Sequence, residues 1–430
     1  MPQDPQEEPT RAVPTSEHGA AGEVSAEATL EAEWFRTRDA LRRAAAPVAI
    51  EGRQTLPDEP VGFVEGEPKE GIALCLSGGG YRAMLFDLGA VWRLNDAGYL
   101  PRLDRISSVS AGSVVAGVLA QRWSRLSFDD SSVSHDFVPE VVEPIRHLAE
   151  RTIDAPAMLL SGWGWLGHGR IGSRLAGAYR KHLFGQSSLQ DLGDRPRFAF
   201  SATNLQTGGL MRFSKPYIWD YRLSLLRNPR TALADVVAAS SAQTFRGSVV
   251  LRFRDTEFES DSGLDRQQSG PGRVVLADGS LFDSLALESA WARYGTILIS
   301  DGGGIVSPMK RPRRVWQSYG YRMLDTLGNQ VAALRKRQAV AAFRAGLRRG
   351  TYWSIRSDIA NFQLADALPC ARDKTTRLAN LPTRLASLDI HTQEQLINWG
   401  FASCDAALRA HVDSSVWTPV DFPYPSSALS

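Results

Sequence analysis

The amino-acid sequence predicts an α/β fold, and three observations support that class. Two segments, residues 72–92 and residues 106–119, each read as a buried strand, a short loop of small residues and a helix. Strands that alternate with helices in this way are typical of α/β proteins. The chain of 430 residues is 43% hydrophobic, which is enough to bury a large core in one α/β domain or two smaller ones.

The first of these segments runs from an apolar strand into a loop of three glycines. Residues 72–76 form a short apolar run, typical of a fully buried strand, and apolar residues at helical spacing occupy 81–92. Between a strand end and a helix start, backbone N–H groups point outward and the helix dipole favours negative charge. Glycine there permits positive φ and close approach of a ligand. The glycines therefore indicate a phosphate cradle, a nucleotide fingerprint or an oxyanion hole, although an isolated triple glycine is also typical of a plain tight turn.

Two nucleotide-binding motifs fit this loop poorly. A P-loop requires Gly-Lys-Ser/Thr, and this sequence has Tyr81-Arg82-Ala83 instead. The dinucleotide fingerprint G-x-G-x-x-G matches residues 78–83 weakly, with Ala83 in the last position, and requires an acidic residue after the second strand. The second strand is followed by a serine.

Ser110 is that serine, and it lies where the second strand gives way to a helix. The segment Ser108-Val109-Ser110-Ala111-Gly112 is G-x-S-x-G with serine in place of the first glycine, the pattern of a nucleophile elbow. Small neighbours suit the crowded turn, and the helix that begins there stabilises developing negative charge. Alone, the motif would indicate a serine that caps a helix. One β-α unit after a glycine loop, it predicts a nucleophile.

Together, residues 77–84 and 108–112 resemble the patatin-like phospholipases and are similar also to the cytosolic phospholipases A of animals. Further segments resemble bacterial members of the family in the same order, so the resemblance covers roughly residues 70–410: 198–214, 234–245, 276–304 and 393–409. It implies a patatin-like three-layer fold with a mostly parallel central sheet, plus a C-terminal helical region.

The resemblance also implies the chemistry of the site. Ser110 is expected to act in a Ser–Asp dyad without histidine, and the glycine loop to be the oxyanion hole, formed by the N–H groups of Gly78, Gly79 and Gly80. No metal and no organic cofactor is required. Arg82, two residues after the glycines, corresponds to an arginine associated with the substrate phosphate. A structural role competes with that one: Arg82 would pair with Asp87 or bind a nearby carbonyl.

Two aspartates compete for the role of the acid, because each follows an apolar run and precedes a glycine. Asp301, in Asp301-Gly302-Gly303, better matches the letters of the family motif, whereas Asp278 better matches its order. In the family a helix and another strand follow the acid, and here residues 285–294 and 296–300 would be those elements. We therefore expect Asp278 to be the general base; a plain turn aspartate is the alternative for either residue.

Three serines depart from the family pattern. Ser108 replaces the first glycine of the elbow, Ser280 replaces the second glycine of Asp-Gly-Gly, and Ser284 stands where many members have asparagine. A positive φ at Ser280 would cost about 1–3 kcal/mol. The departures predict reduced activity or an altered substrate.

The chain is expected to divide into four parts. Residues 1–30, rich in Pro, Glu, Ala, Ser and Thr, are predicted to be disordered, and residues 31–69 to form a helical or irregular lead-in. Residues 70–310 would form the catalytic domain and residues 311–430 a C-terminal helical extension packed on it.

Partners and location follow from composition. No signal peptide or membrane-spanning run is visible, and three cysteines without framework spacing fit a reducing cytoplasm. Residues 158–170, with Trp163 and Trp165, would form a lid that enters a lipid interface or a buried loop. Residues 310–349 carry 11 Lys/Arg and one acid, which favours anionic headgroups or a solvated basic face. No nucleic-acid-binding module is recognised.

The predicted function is that of a cytoplasmic serine lipid acyl hydrolase, of phospholipase A or lysophospholipase type, working at a peripheral membrane surface. One alternative is a general α/β-hydrolase-type esterase with a Ser-Asp-His triad, since His391 and His411 follow both aspartates. A second is a pseudoenzyme or effector that uses the same fold to bind lipid or a nucleotide signal.

Overall fold

The computed structural model describes residues 55–56, 59–60, 68–154, 170–220, 224–242, 248–253, 272–304 and 316–430. The segment predicted to be disordered, most of the predicted lead-in and nearly all of the predicted lid, including Trp163 and Trp165, lie outside the described residues.

The described strands form a two-stranded ribbon and a ten-stranded sheet. The ribbon pairs β1 (Thr55–Leu56) with β2 (Glu59–Pro60). The strands of the sheet are β3 (Lys69–Leu76), β4 (Arg105–Val109), β5 (Arg197–Asn204), β6 (Leu210–Ser214), β7 (Tyr217–Asp220), β8 (Ser224–Arg227), β9 (Val249–Arg252), β10 (Arg273–Asp278), β11 (Tyr294–Asp301) and β12 (Arg349–Ser354).

The middle of the sheet is parallel, in the order β12-β11-β3-β4-β5, and β6, β7 and β8 extend it as an antiparallel meander. The strands predicted over 72–76, 106–109 and 296–300 all lie in the parallel part, and the predicted α/β fold is confirmed. Since parallel strands share one carboxyl edge, the glycine loop after β3 and Ser110 after β4 emerge side by side.

Strand β10 enters the sheet from the opposite direction. Residues Ser201 and Ala202 of β5 pair with β6 on one edge, whereas on the other edge Ser201 pairs with Val109 of β4 and Ala202 with Asp278 of β10. β4 and β10 therefore lie end to end along one edge of β5, and their carboxyl ends meet. This register brings the residue after Val109 and the last residue of β10 to the same level.

Helices cover the sheet. The α-helices of the described residues are α1 (Gly80–Asp96), α2 (Gly112–Arg122), α3 (Glu143–Ala149), α4 (Arg170–Tyr179), α5 (Leu233–Ser241), α6 (Trp316–Arg344), α7 (Arg372–Ala379) and α8 (Ile390–His411). The helices predicted after the glycine loop, after Ser110 and near the C-terminus are all present. Across the described parts of the chain, no helix combines the length and the apolar character needed to span a bilayer.

The core has one layer on each face of the sheet. Alternate residues of β3 point to opposite faces, so Leu74 and Leu76 join the helices α1, α2, α5 and α8, while Ala73 and Cys75 join a second cluster with Ala339 of α6. α1 and α8 cross closely because Gly89 has no side chain; a Cβ there would collide with the carbonyl oxygen of Ile397.

The prediction of a helix over residues 285–294 is wrong, because this segment forms successive turns. Ala286 has a φ of +56°, which an α-helix does not accept. Side chains from β4 also take two of its carbonyl groups: Ser107 Oγ donates to Ala286 O at 2.6 Å, and Arg105 donates to Ser289 O at 3.1 Å.

Candidate active site

Ser110 occupies a sharp turn between β4 and α2. Its φ of +53° lies in the left-handed region, where a residue other than glycine stores about 1–3 kcal/mol of strain. The surrounding structure maintains this conformation, since the Ser110 N–H donates to Ser240 Oγ at 3.0 Å. The side chain is only 8% exposed and stands at the N-terminus of α2. The turn has the features expected of a nucleophile elbow.

The Ser110 hydroxyl donates to the carboxylate of Asp278, with an Oγ–Oδ2 distance of 2.7 Å. The other carboxylate oxygen, Oδ1, accepts from the Ser280 N–H at 2.9 Å. Asp278 is 6% exposed, and burial raises the pKa of its carboxyl to about 6, against the opposing effects of the bonds from Ser110 and Ser280. At neutral pH Asp278 is therefore mainly a carboxylate, and close enough in pKa to accept and return a proton.

A chain of buried hydroxyls supports the turn from behind. Ser240 Oγ donates to Ser201 O at 2.6 Å and lies 2.9 Å from Ser113 Oγ, which in turn donates to Ser108 Oγ at 3.0 Å. Ser240 was not identified from the sequence, although this residue lies in segment 234–245, which resembles bacterial members of the family. The signal was a pair of serines at the end of α5, a helix that is apolar apart from Asp235.

Gly78 lies directly over Ser110. A side chain on Gly78 would have its Cβ 2.7 Å from Ser110 Cβ and 2.4 Å from Ser280 Oγ. The N–H of Gly78 donates to Ser284 O, with an N–O distance of 3.4 Å, which is a long bond. Gly78 therefore provides space over Ser110, and its expected role as an oxyanion donor stays a prediction, in which its N–H would exchange the long bond to Ser284 O for the oxyanion.

Gly79 and Gly80 keep the arrangement expected of oxyanion donors. Within the described parts of the chain, their N–H groups have no hydrogen-bond partner, and they lie at the N-terminus of α1. Gly80 has a φ of +66°, which requires glycine in practice. The next N–H, that of Tyr81, is already taken by Arg384 O at 2.9 Å.

Arg82 is buried beneath the loop. Its Nε donates to Gly302 O at 3.2 Å, Nη1 donates to Leu381 O, and Nη2 donates to Thr383 Oγ1 at 3.2 Å. Burial lowers the pKa of Arg82 to about 10, so it stays charged at neutral pH. All three nitrogens thus bind the protein itself, and the structure favours the competing structural role over phosphate recognition. The partners differ from the one expected, since Asp87 instead accepts from Ser300 Oγ at 2.6 Å.

Asp301 ends β11 at the same edge of the sheet but does not contact Ser110. Its Oδ1 accepts from the Gly303 N–H at 2.9 Å, and its Oδ2 accepts from the Tyr352 hydroxyl. The structure therefore brings Asp278, and not Asp301, against the serine.

The three departures from the family pattern are accommodated without the expected strain. Ser280 lies in a short 3₁₀ turn (Gly279–Leu281) and has no positive φ, and its N–H binds Asp278. Ser108 belongs to the hydroxyl chain behind Ser110. The buried Ser284 Oγ has no partner among the described residues, and nothing in the structure explains its presence.

Neither predicted histidine lies at the site. His391 Nδ1 lies 2.9 Å from Ser427 Oγ, and the His411 ring packs against Phe362. In the part of the chain that the structure describes, no histidine is hydrogen-bonded to Ser110 or Asp278, and no group of three or more His, Cys, Asp or Glu side chains is arranged to hold a metal ion. These contacts disfavour the triad alternative.

Among protein-family models, that of the patatin-like phospholipases matches residues 74–291 of the chain. This range includes the glycine loop, Ser110 and Asp278, and ends before Asp301. A comparison with curated proteins finds no sequence match.

Solved structures offer distant likenesses. Human GIVD cytosolic phospholipase A2 is 13% identical with a TM-score of 0.36, covering 61% of this chain and 48% of that one. The same human protein in complex with methyl gamma-linolenyl fluorophosphonate is 14% identical with a TM-score of 0.42, and the match covers 78% of this chain and 57% of that one. VipD from Legionella pneumophila is 14% identical with a TM-score of 0.32, covering 80% and 67%. The chain thus spans about half the length of the human protein.

Proposed function

The chain belongs to the patatin-like phospholipase family, and on that premise we propose that it is a serine lipid acyl hydrolase in which Ser110 and Asp278 form a catalytic dyad. The observation that carries the proposal is the 2.7 Å hydrogen bond from Ser110 Oγ to Asp278 Oδ2. It joins a serine in a strained turn, just before the start of α2, to a buried carboxylate whose pKa is about 6.

In the first half of the reaction, Asp278 accepts the hydroxyl proton of Ser110 while Oγ bonds to the carbonyl carbon of the ester. The carbonyl oxygen becomes an oxyanion. When the tetrahedral intermediate collapses, the bond to the alcohol oxygen breaks, and the alcohol takes the proton from Asp278. The acyl group stays on Ser110.

The second half repeats these steps with water. Asp278 accepts a proton from water, whose oxygen attacks the acyl carbonyl carbon, and the Ser110–acyl bond then breaks. The proton returns to Ser110 Oγ and the fatty acid leaves. The dyad needs no third residue, because the same carboxylate accepts and returns each proton.

The oxyanion is assigned to the N–H groups of Gly79 and Gly80. Two observations support them: they have no partner in the described parts of the chain, and they lie at the N-terminus of α1, where the helix dipole favours negative charge. Gly78 contributes the space over Ser110 in which the carbonyl sits.

Arg82 is assigned a positioning role instead of a substrate contact. Its bonds to Gly302, Leu381 and Thr383 fix the loop that carries the oxyanion donors. The substrate class is a lipid ester, and the enzyme would act as a peripheral protein at a lipid surface, in keeping with its family.

Covalent labelling tests the proposal directly. A fluorophosphonate probe should label the protein at Ser110, and Ser110→Ala should lose both the label and the hydrolysis of a chromogenic short-chain ester. Ser127→Ala, which removes an exposed serine elsewhere, serves as the matched control and should keep both. Labelling that persists in Ser110→Ala would contradict the assignment; lipid binding without any turnover by the wild type would favour the pseudoenzyme alternative.

A further inference from the structure

Helix α6 carries a row of large apolar side chains on its outer surface. We call this row the α6 stripe. Its members are 40–60% exposed, values unusual for residues of this size: Tyr319, Met323, Leu324, Leu327, Val331 and Leu334. They are most of the exposed large hydrophobic residues in the described parts of the chain.

The stripe lies on one face of the helix. Positions 319, 323, 327, 331 and 334 follow each other by four, four, four and three residues, which is the spacing of a single helical face. The same series continues from 331, again by four and four, to Arg335 and Ala339, where the helix meets the body of the protein: Arg335 binds Glu288 at 2.9 Å, and Ala339 is buried in the core. The stripe is therefore the N-terminal part of this row, where the side chains are exposed.

The direction of α6 carries the stripe beyond the edge of the sheet where Ser110 lies. The end of the helix at Arg344 precedes the start of β12, whereas Lys336 lies 4.7 Å from the ring of Tyr352, further along that strand. The helix therefore runs antiparallel to β12, and its N-terminus lies on the side of the carboxyl edge of the sheet. The helix begins at Trp316, 20 positions before Lys336, and so extends about 30 Å past Lys336 at 1.5 Å per residue.

Charge indicates what the stripe meets. Residues 310–349 contain 11 Lys/Arg and a single acid, Asp325, and every basic residue except Arg322 stands before or after the stripe. Arg337 and Arg344 are both exposed. An apolar face bordered by cations fits an anionic lipid surface, because the side chains enter the acyl boundary while the cations meet the headgroups. The same charges would repel a second copy of the chain.

We propose that the α6 stripe docks the protein on an anionic lipid bilayer, with α6 lying along the bilayer surface and holding the carboxyl edge of the sheet close to it. This inference rests on the proposed function, since a lipid hydrolase must reach esters held in a membrane. Docking through α6 would leave the chemistry at Ser110 unchanged and would act on access to the substrate.

Vesicle binding tests the apolar part of the proposal. Full-length Ser110→Ala, which cannot consume the lipid, is sedimented with vesicles of phosphatidylcholine and phosphatidylglycerol. Adding Leu327→Ser and Leu334→Ser should weaken binding by about tenfold or more, because both side chains lose their burial in the acyl boundary. The matched control, Ile390→Ser with Val420→Ser, removes two apolar side chains outside α6 that are at least as exposed as Leu334, and it should bind as the parent does.

Two further measurements complete the test. Arg337→Gln with Arg344→Gln should weaken binding to the anionic vesicles by about tenfold and leave the weak binding to pure phosphatidylcholine unchanged. Unchanged vesicle binding in the variant with Leu327→Ser and Leu334→Ser would overturn the proposal. So would a dimer in solution that the same two substitutions convert to monomer. Each variant is also made with Ser110 intact and assayed on a soluble short-chain ester. If the wild type does not hydrolyse the soluble ester, the proposed function is refuted. Vesicle binding, in contrast, reports on docking alone.

Discussion

The turns at Asp278 and Asp301 are alike in sequence and different in surroundings. Each aspartate ends a strand, precedes a glycine and accepts the N–H of the residue two positions later, from Ser280 at 2.9 Å and from Gly303 at 2.9 Å. The remaining carboxylate oxygen differs: that of Asp278 binds Ser110 Oγ, and that of Asp301 binds the Tyr352 hydroxyl.

The contrast separates what a motif specifies from what the sheet specifies. The letters Asp-Gly set the turn in both places. The partner of the second oxygen is set by strand pairing: β10 meets β4 end to end along β5, whereas β11 lies between β3 and β12. Only the first arrangement brings a carboxylate to Ser110.

The largest effect expected from this comparison is the loss of turnover in Asp278→Asn. The amide keeps an oxygen for the Ser280 N–H and cannot accept the proton of Ser110, so hydrolysis of a soluble ester should fall by about 10²–10⁴-fold. Circular dichroism should show an unchanged fold.

Asp301→Asn is the matched control, with the same change of charge and shape in the sister turn. Its turnover should stay within about tenfold of the wild type. If Asp301→Asn proved the more damaging of the two, the assignment of the base would have to be reversed.

The pH profile should report the environment of Asp278. Its carboxyl must be ionised to act as the base, and its pKa is about 6. Turnover should therefore rise with pH and level off above about 6, and should fall about tenfold for each pH unit below that value. Asp301→Asn should keep the same profile; a profile that is flat from pH 4 to 8 would argue against Asp278 as the base.

Arg82→Ala should disturb both turns to a smaller extent, because Arg82 joins the glycine loop to Gly302, next to Asp301. Loss of its charged hydrogen bonds should lower the free energy of unfolding by about 1.5–3 kcal/mol. Hydrolysis of phospholipid and of a neutral ester should fall by similar factors, measured under the same conditions. A loss confined to phospholipid would restore the phosphate-binding role.

The smallest effect should follow from Tyr352→Phe, which removes the partner of Asp301. The free energy of unfolding, measured in urea, should drop by about 1 kcal/mol, the usual value of one hydrogen bond, with turnover unchanged. A large loss of turnover here would mean that the Asp301 turn serves the chemistry after all.

The sequence could predict the parts of the site that are local. The glycine loop and the turn at Ser110 each connect a strand to the next helix, so apolar periodicity and small residues were sufficient to place them. The preference for Asp278 came from the order of segments along the chain, and the structure brings that residue to Ser110.

Other features depend on contacts between distant residues and could not be predicted. The N–H of Gly78 is taken by Ser284 O, and Arg82 is held by Leu381 and Thr383, about 300 positions away in the sequence. The expected helix over 285–294 fails because Ser107 and Arg105 take its carbonyl groups. No local pattern contains these partners.

The contacts of the glycine loop with residues 381–384 bear on how such a chain can evolve. The family match ends at residue 291, yet the N–H of Tyr81 is held by Arg384 and the side chain of Arg82 by Leu381. The matched half is therefore not a self-sufficient module. We therefore expect that exchange of the C-terminal part between relatives would disturb the backbone of the proposed oxyanion donors unless the contacts of residues 381–384 were kept.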